Sequence, residues 1–110
     1  SEMCIRDRHN IEAICGDINE VSKNLNKKYD RIIMNLPGLA YEFLDLAMTL
    51  TANNGIINYY EFSDSYGQGI ERLQKAAKKE NKKVEILNTR KVKSSSPGMW
   101  HVAIDAKVIS

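Results

Sequence analysis

The sequence predicts an α/β domain built on a mainly parallel sheet whose last strand is antiparallel, and three observations carry that expectation. First, short apolar runs of strand length (Ile11 to Cys15, Ile32-Ile33-Met34, Gly55-Ile56-Ile57) alternate with stretches whose apolar residues recur at helical spacing. Strands alternating with helices imply parallel pairing. Second, the run Ile32-Ile33-Met34 ends at Asn35-Leu36-Pro37-Gly38, where Pro37 fixes its own φ and pushes Leu36 out of the α region. A strand thus stops at a sharp turn and restarts as a helix. Third, the last two strand-like segments are joined by Ser94-Ser95-Ser96-Pro97-Gly98 with no room for a helix, so the final strand must return antiparallel.

A chain of 110 residues holds one domain with a modest core. Its 43% hydrophobic and 27% charged composition is that of a globular chain, not a disordered one. No apolar run reaches transmembrane length and no signal-peptide pattern opens the chain, so no membrane partner and a cytoplasmic location are expected. Cys4 and Cys15 have no metal-like spacing to the two histidines; they read as free thiols in a reducing compartment, and no metal is expected. The net charge of +2 hides an asymmetry, because residues 71–93 carry nine Lys or Arg against three Glu. That segment, with Lys78, Lys79, Lys82 and Lys83, suits phosphate contacts with RNA; a solvated helix face is the plain alternative.

In chain order, residues 1–8 do not read as the start of a folded domain. Ser-Glu-Met-Cys-Ile-Arg-Asp-Arg resembles a translated sequencing-adapter remnant, and it is set aside as non-native, leaving 9–110 as the natural, truncated chain. Ile11 to Cys15 is a strand ending at Gly16-Asp17, and Asp17 with Glu20 resembles a capping box for a short helix over Ile18 to Leu25. The strand Asp30 to Asn35 follows. Leu39, Phe43, Leu46 and Leu50 mark the packed face of a helix to Thr51, with Asn53-Asn54-Gly55 as its stop. Gly55 to Phe62 is the third strand. Ile70, Leu73, Ala76 and Ala77 give a Lys-rich helix its apolar side, ending near Asn81. Val84 to Lys93 is the fourth strand. In the fifth, Trp100, Val102, Ile104, Ala106 and Val108 alternate with His101, Ala103, Asp105 and Lys107.

This ending is similar to the back half of a class I S-adenosylmethionine-dependent methyltransferase, a Rossmann-like fold whose last strand is inserted antiparallel. More closely, Gly16-Asp17, Asp30 to Pro37, Gly55 to Tyr60 and Ser96 to Val102 together resemble the C-terminal part of the archaeal and eukaryotic-type tRNA (guanine-37 N1)-methyltransferases. The resemblance covers about residues 9–110. It implies strand order 4-5-7-6 of the full fold, with strand 3 (Ile11 to Cys15) orphaned because strands 1 and 2 lie upstream. It also implies tRNA, through its anticodon loop, as partner and a monomeric full-length enzyme.

The resemblance gives the residues roles. Asp17 would accept from the cofactor's adenine amino group and the Ile18 N–H would reach a ring nitrogen; a plain helix N-cap is the alternative for Asp17. Asn35, with a carbonyl of Leu36 or Pro37, would hold the guanine edge between methyl donor and acceptor. Asn suits this because it carries donor and acceptor and stays neutral. Guanine N1 carries a proton, so a base is needed, and the family supplies it from upstream. Of the carboxylates near Asn35 (Glu42, Asp45 and Glu61), Glu61 alone stands at a strand's carboxyl end; Glu42 and Asp45 read as surface, and His101, Tyr59, Tyr60 and Trp100 as structural. The fragment alone is therefore expected to be inactive. Two other classes compete: a noncatalytic α/β RNA-binding module, and another S-adenosylmethionine-dependent transferase. The latter could move methyl to protein or small molecule, or move aminocarboxypropyl as the wybutosine-type enzymes do. The wybutosine-type enzymes typically lack Asn-Leu-Pro at this place, so the motif favours methyl over aminocarboxypropyl transfer, while methyltransferases acting on protein or small molecules share it.

Overall fold

The computed structural model describes residues 2–6, 14–17, 28–35, 40–63 and 67–110. They form β1 (Glu2–Arg6), β2 (Ile14–Asp17), β3 (Tyr29–Asn35), a 3-10 turn (Ala40–Phe43), α1 (Leu44–Leu50), β4 (Thr51–Ser63), α2 (Gly67–Lys79), β5 (Lys83–Ser96) and β6 (Met99–Ile109). The helix expected over Ile18 to Leu25 lies outside the described residues.

One sheet runs in the order β2-β1-β3-β4-β6-β5. The stretch β3-β4-β6-β5 is the order 4-5-7-6 expected from the resemblance, and β6 is antiparallel to both neighbours. The mainly parallel pairing does not hold: only β3 and β4 pair in parallel, and the other four pairings are antiparallel. The cause is placement. β2, β3, β4 and β5 all point one way, but the two reversed strands, β1 and β6, are each inserted between two of them.

Two further expectations are corrected. The strand read as orphaned has a neighbour, since β1 from the segment set aside as non-native pairs with β2 on one side and β3 on the other. β1 thereby covers the β3 edge with a full backbone ladder, which an exposed strand edge strongly favours. Cys4 is in a disulfide rather than free; its register partner across β1 and β2 is Cys15, the chain's second cysteine. Their spacing in sequence carries no hint of this, because antiparallel register brings them together.

The core lies between one face of the sheet and the two helices. Ile32 and Met34 of β3, Ile57 and Tyr59 of β4, and Ile104, Ala106 and Val108 of β6 alternate along their strands and are fully buried. Against them pack Leu44, Ala47, Met48 and Leu50 of α1 and Leu73, Ala76 and Ala77 of α2. The α2 helix closes as a Schellman motif. Asn81 takes φ 57, its N–H bonds the Lys78 carbonyl at 3.1 Å and the Lys82 N–H bonds that of Ala77 at 2.9 Å. The β5–β6 hairpin turns at Pro97-Gly98, with Gly98 at φ 79, as a type II turn requires. On the opposite face, Arg31, Asn58, Asp105 and Arg90 form a polar row with one residue from each of four strands. Arg31 donates to Asn58 at 2.9 Å, Asn58 to Asp105 at 2.7 Å and Arg90 to Asp105 at 3.5 Å.

The Asn53-Asn54-Gly55 signal marks a different feature from the one expected. The helix ends at Leu50 and Thr51 is already extended, so the signal falls inside β4. There Asn54 has φ 67 and the β3–β4 register shifts between Tyr29↔Thr51 and Arg31↔Ile56. A Cβ on Gly55 would stand 2.9 Å from the Ala52 carbonyl oxygen and 3.1 Å from that of Tyr29. Backbone cannot step aside as a side-chain tip can. Gly55→Ala is therefore expected to destabilise the fold by about 1–3 kcal/mol in a urea titration. A change below half a kilocalorie would show that the irregularity relaxes freely.

Candidate functional site at the carboxyl ends of the strands

Strands β2, β3 and β4 point the same way, so their carboxyl ends share one edge of the sheet, the edge at which ligands collect in open α/β folds. Asp17 ends β2 and Asn35 ends β3. Both stand in register with Glu2 of β1, so the two positions lie level across the sheet. They are two strand spacings, about 10 Å, apart. Met34 pairs with Tyr59 of β4, which puts Asn35 one residue past the last β3–β4 pair. The structure thus brings Asp17 and Asn35, far apart in sequence, to one edge. Ile18, Leu36 and Pro37 lie outside the described residues.

Glu61 lies at the same end of β4, but its surroundings argue for a structural task. Only 6% of it is exposed. Its Oε1 accepts from the Tyr59 hydroxyl at 2.6 Å and from Arg72 of α2 at 3.1 Å. Burial, then the Glu61 hydrogen bond, pushes the Tyr59 phenol well above its usual range. Burial alone would lower the Arg72 pKa, but bonding to Tyr59 and the Glu61 charge outweigh it and raise it. The cluster pins α2 to the sheet. Glu42 and Asp45 are exposed, and Asp45 pairs with Lys79 at 3.4 Å. His101 is half-buried within β6, its ring edge-on to Phe62 at 4.1 Å.

The basic segment divides in three. Lys82 donates to the Met48 carbonyl at 2.7 Å and the Thr51 carbonyl at 3.5 Å, closing the end of α1. Burial, then the nearby Lys28, lowers its pKa. Arg72, Lys75 and Lys79 instead line a groove of about 190 Å³ between α1 and α2, with Tyr41, Leu44, Asp45 and Ala76. Lys78 and Lys83 are exposed outside it. Sequence reasoning missed the groove and Tyr41. The available signal was the spacing of Arg72, Lys75 and Lys79, one helical turn apart on one side of α2.

The family model described as the TRM5/TYW2 methyltransferase domain matches residues 6–87. The tRNA (guanine(37)-N(1))-methyltransferase Trm5b of Pyrococcus abyssi is 40% identical over 103 residues, covering 91% of this chain and 30% of the relative. Among solved structures, Methanocaldococcus jannaschii TYW2 in complex with AdoMet superposes with a TM-score of 0.72 at 33% identity, over 80% of this chain and 42% of that one. A complex of aTrm5 with tRNALeu gives 0.69 at 31% identity, over 81% and 25%. The chain spans about a third of the length of the curated relatives it matches. With a family match over most of its length, the chain belongs to the TRM5/TYW2 methyltransferase domain family.

Proposed function

We propose that this chain is the acceptor-side part of an enzyme that transfers methyl from S-adenosylmethionine to N1 of guanosine 37 in tRNA. The observation that carries the reading is Asn35 at the carboxyl end of β3, on the same edge of the sheet as Asp17 at the end of β2, in a chain 40% identical to an archaeal Trm5b. Asp17 and the Ile18 N–H hold the adenine of the cofactor, which supplies an electrophilic methyl group. Asn35, with a carbonyl of Leu36 or Pro37, grips the guanine edge and orients N1. Holding the acceptor in an attack geometry is the main help a neutral amide can give. The proton on N1 is taken by a base from the upstream region, since Glu61 is held in its own cluster. In this reading 9–110 is the native part and 1–8 is set aside. A cytoplasmic, monomeric enzyme acting on the anticodon loop completes the proposal.

Aminocarboxypropyl transfer is the second reading, favoured by 34% identity to an archaeal aminocarboxypropyltransferase acting on tRNA(Phe). Product analysis decides between them. A chimera joining residues 9–110 to the upstream region of the Pyrococcus abyssi relative is incubated with cofactor and a tRNA transcript bearing G37, then digested to nucleosides. The expected product is 1-methylguanosine, with none from a transcript bearing A37. An aminocarboxypropyl adduct would overturn the methyl-transfer reading.

A further inference from the structure

The groove between α1 and α2 is lined by none of the residues assigned to the strand-end site. Tyr41 comes six positions after Asn35 in sequence, in the 3-10 turn that leads into α1, and Arg72 stands in the second turn of α2. The Arg72 guanidinium lies 4.2 Å from the Tyr41 ring centroid, while its Nη1 bonds Glu61 below at 3.1 Å. Tyr41 is thus fixed at one face of its ring by a cation that is itself anchored in the core. The ring nonetheless belongs to a residue that is 46% exposed. A large aromatic left that open at a groove wall, with a guanidinium holding one ring face, offers the rest of its exposed surface to a flat partner.

From this platform the groove runs along α2 past Lys75 to Lys79, with an apolar floor of Leu44 and Ala76. Successive cations at Arg72, Lys75 and Lys79 advance about one helical turn each. Lys75 and Lys79 are paired with Glu71 at 3.1 Å and Asp45 at 3.4 Å, but all four side chains are more than half exposed. Pairs that exposed are worth little, so a phosphate can displace the carboxylate at small cost. Arg72 differs, since its partner Glu61 is buried. It serves the ring rather than the phosphate.

We propose that this groove is a second, sequence-tolerant RNA seat, in which a base of a single-stranded segment stacks on Tyr41 and the following phosphates run along Lys75 and Lys79. It rests on the reading that the chain handles RNA, and it adds a contact distinct from the Asn35 acceptor site. A stack on a π-face with phosphate cations is the chemistry of single-stranded nucleic-acid binding without base readout.

The test uses the 110-residue chain and a short, labelled single-stranded RNA of mixed sequence, with fluorescence anisotropy at several salt concentrations. Circular dichroism checks that each variant is folded. Tyr41→Ala is expected to weaken binding about tenfold or more, with Tyr41→Phe close to wild type. Lys75→Gln with Lys79→Gln should make the slope of log affinity against log salt shallower by about 1.4, the value for two single-strand phosphate contacts. Lys78→Gln with Lys83→Gln, outside the groove, should change the slope less. Unchanged binding by Tyr41→Ala, a slope equally sensitive to both lysine pairs, or no RNA binding by the wild-type chain would each overturn the seat. So would equal displacement of the RNA by polyglutamate, which would show a plain charge effect. None of these results touches guanine N1 transfer, which is read from the product of the chimera.

Discussion

Asn35→Ala in the chimera is expected to lower the single-turnover rate of methyl transfer on the order of a hundredfold while leaving cofactor affinity within a few-fold of wild type. The size follows from positioning: a misplacement of about 1 Å at the reacting centre costs on that order. The direction follows from placement. Asn35 ends β3, where in the proposed mechanism its partner is the acceptor base. Asp17 ends β2 on the same edge, where in the proposed mechanism its partner is the adenine of the cofactor. Asp17→Ala should therefore do the reverse, weakening cofactor binding while the transfer rate at saturating cofactor stays near wild type. Rapid-quench single turnovers and cofactor titrations on the two variants separate the roles. If Asn35→Ala chiefly weakens cofactor binding and spares transfer, its assignment to the acceptor is wrong.

Much of this edge was legible in the sequence, because the features that build it are local. An apolar run of three broken by Asn-Leu-Pro-Gly can hardly be anything but a strand end, and β3 does end at Asn35. The alternation of Trp100 to Val108 set the buried face of β6 correctly, and Asn81 closes α2 as expected. What was not legible depends on partners far away in the chain. Nothing local in Glu2 to Arg6 says that it will fill the β3 edge, or that Cys4 will meet Cys15's strand in register. Asn53-Asn54-Gly55 has the chemistry of a helix stop, yet the same left-handed tolerance serves an irregularity inside a strand just as well. The decision came from β3 pairing, which no helix-spacing argument contains. Likewise Glu61 looked available because it ends a strand. Only the approach of Tyr59 and Arg72 shows that its carboxylate is taken.

That carboxylate supports the other large effect. Arg72→Met is expected to destabilise the fold by about 3 kcal/mol, measured by urea unfolding. Glu61 is buried, with its Oε2 lacking a hydrogen-bond partner among the described residues. Its charge is therefore compensated through Oε1 alone, by Tyr59 and Arg72. Removing the guanidinium leaves a buried carboxylate with one neutral donor, and that uncompensated charge is the main cost. Replacing the whole cluster is a different matter. A triple variant with Tyr59→Phe, Glu61→Leu and Arg72→Met buries no charge and leaves no orphan hydroxyl, so it should return to within about 1–1.5 kcal/mol of wild type. The alkaline limb supplies an independent check. Burial and the Glu61 bond raise the Tyr59 pKa in the folded state, so above the ordinary tyrosine value of 10.0 the unfolded chain loses this proton first. The contribution is complete below that pH and fades as pH climbs toward the folded value. Tyr59→Phe should flatten the decline in stability at alkaline pH. If the triple variant is as unstable as Arg72→Met alone, the cluster holds α2 by shape rather than by charge, and the electrostatic account fails.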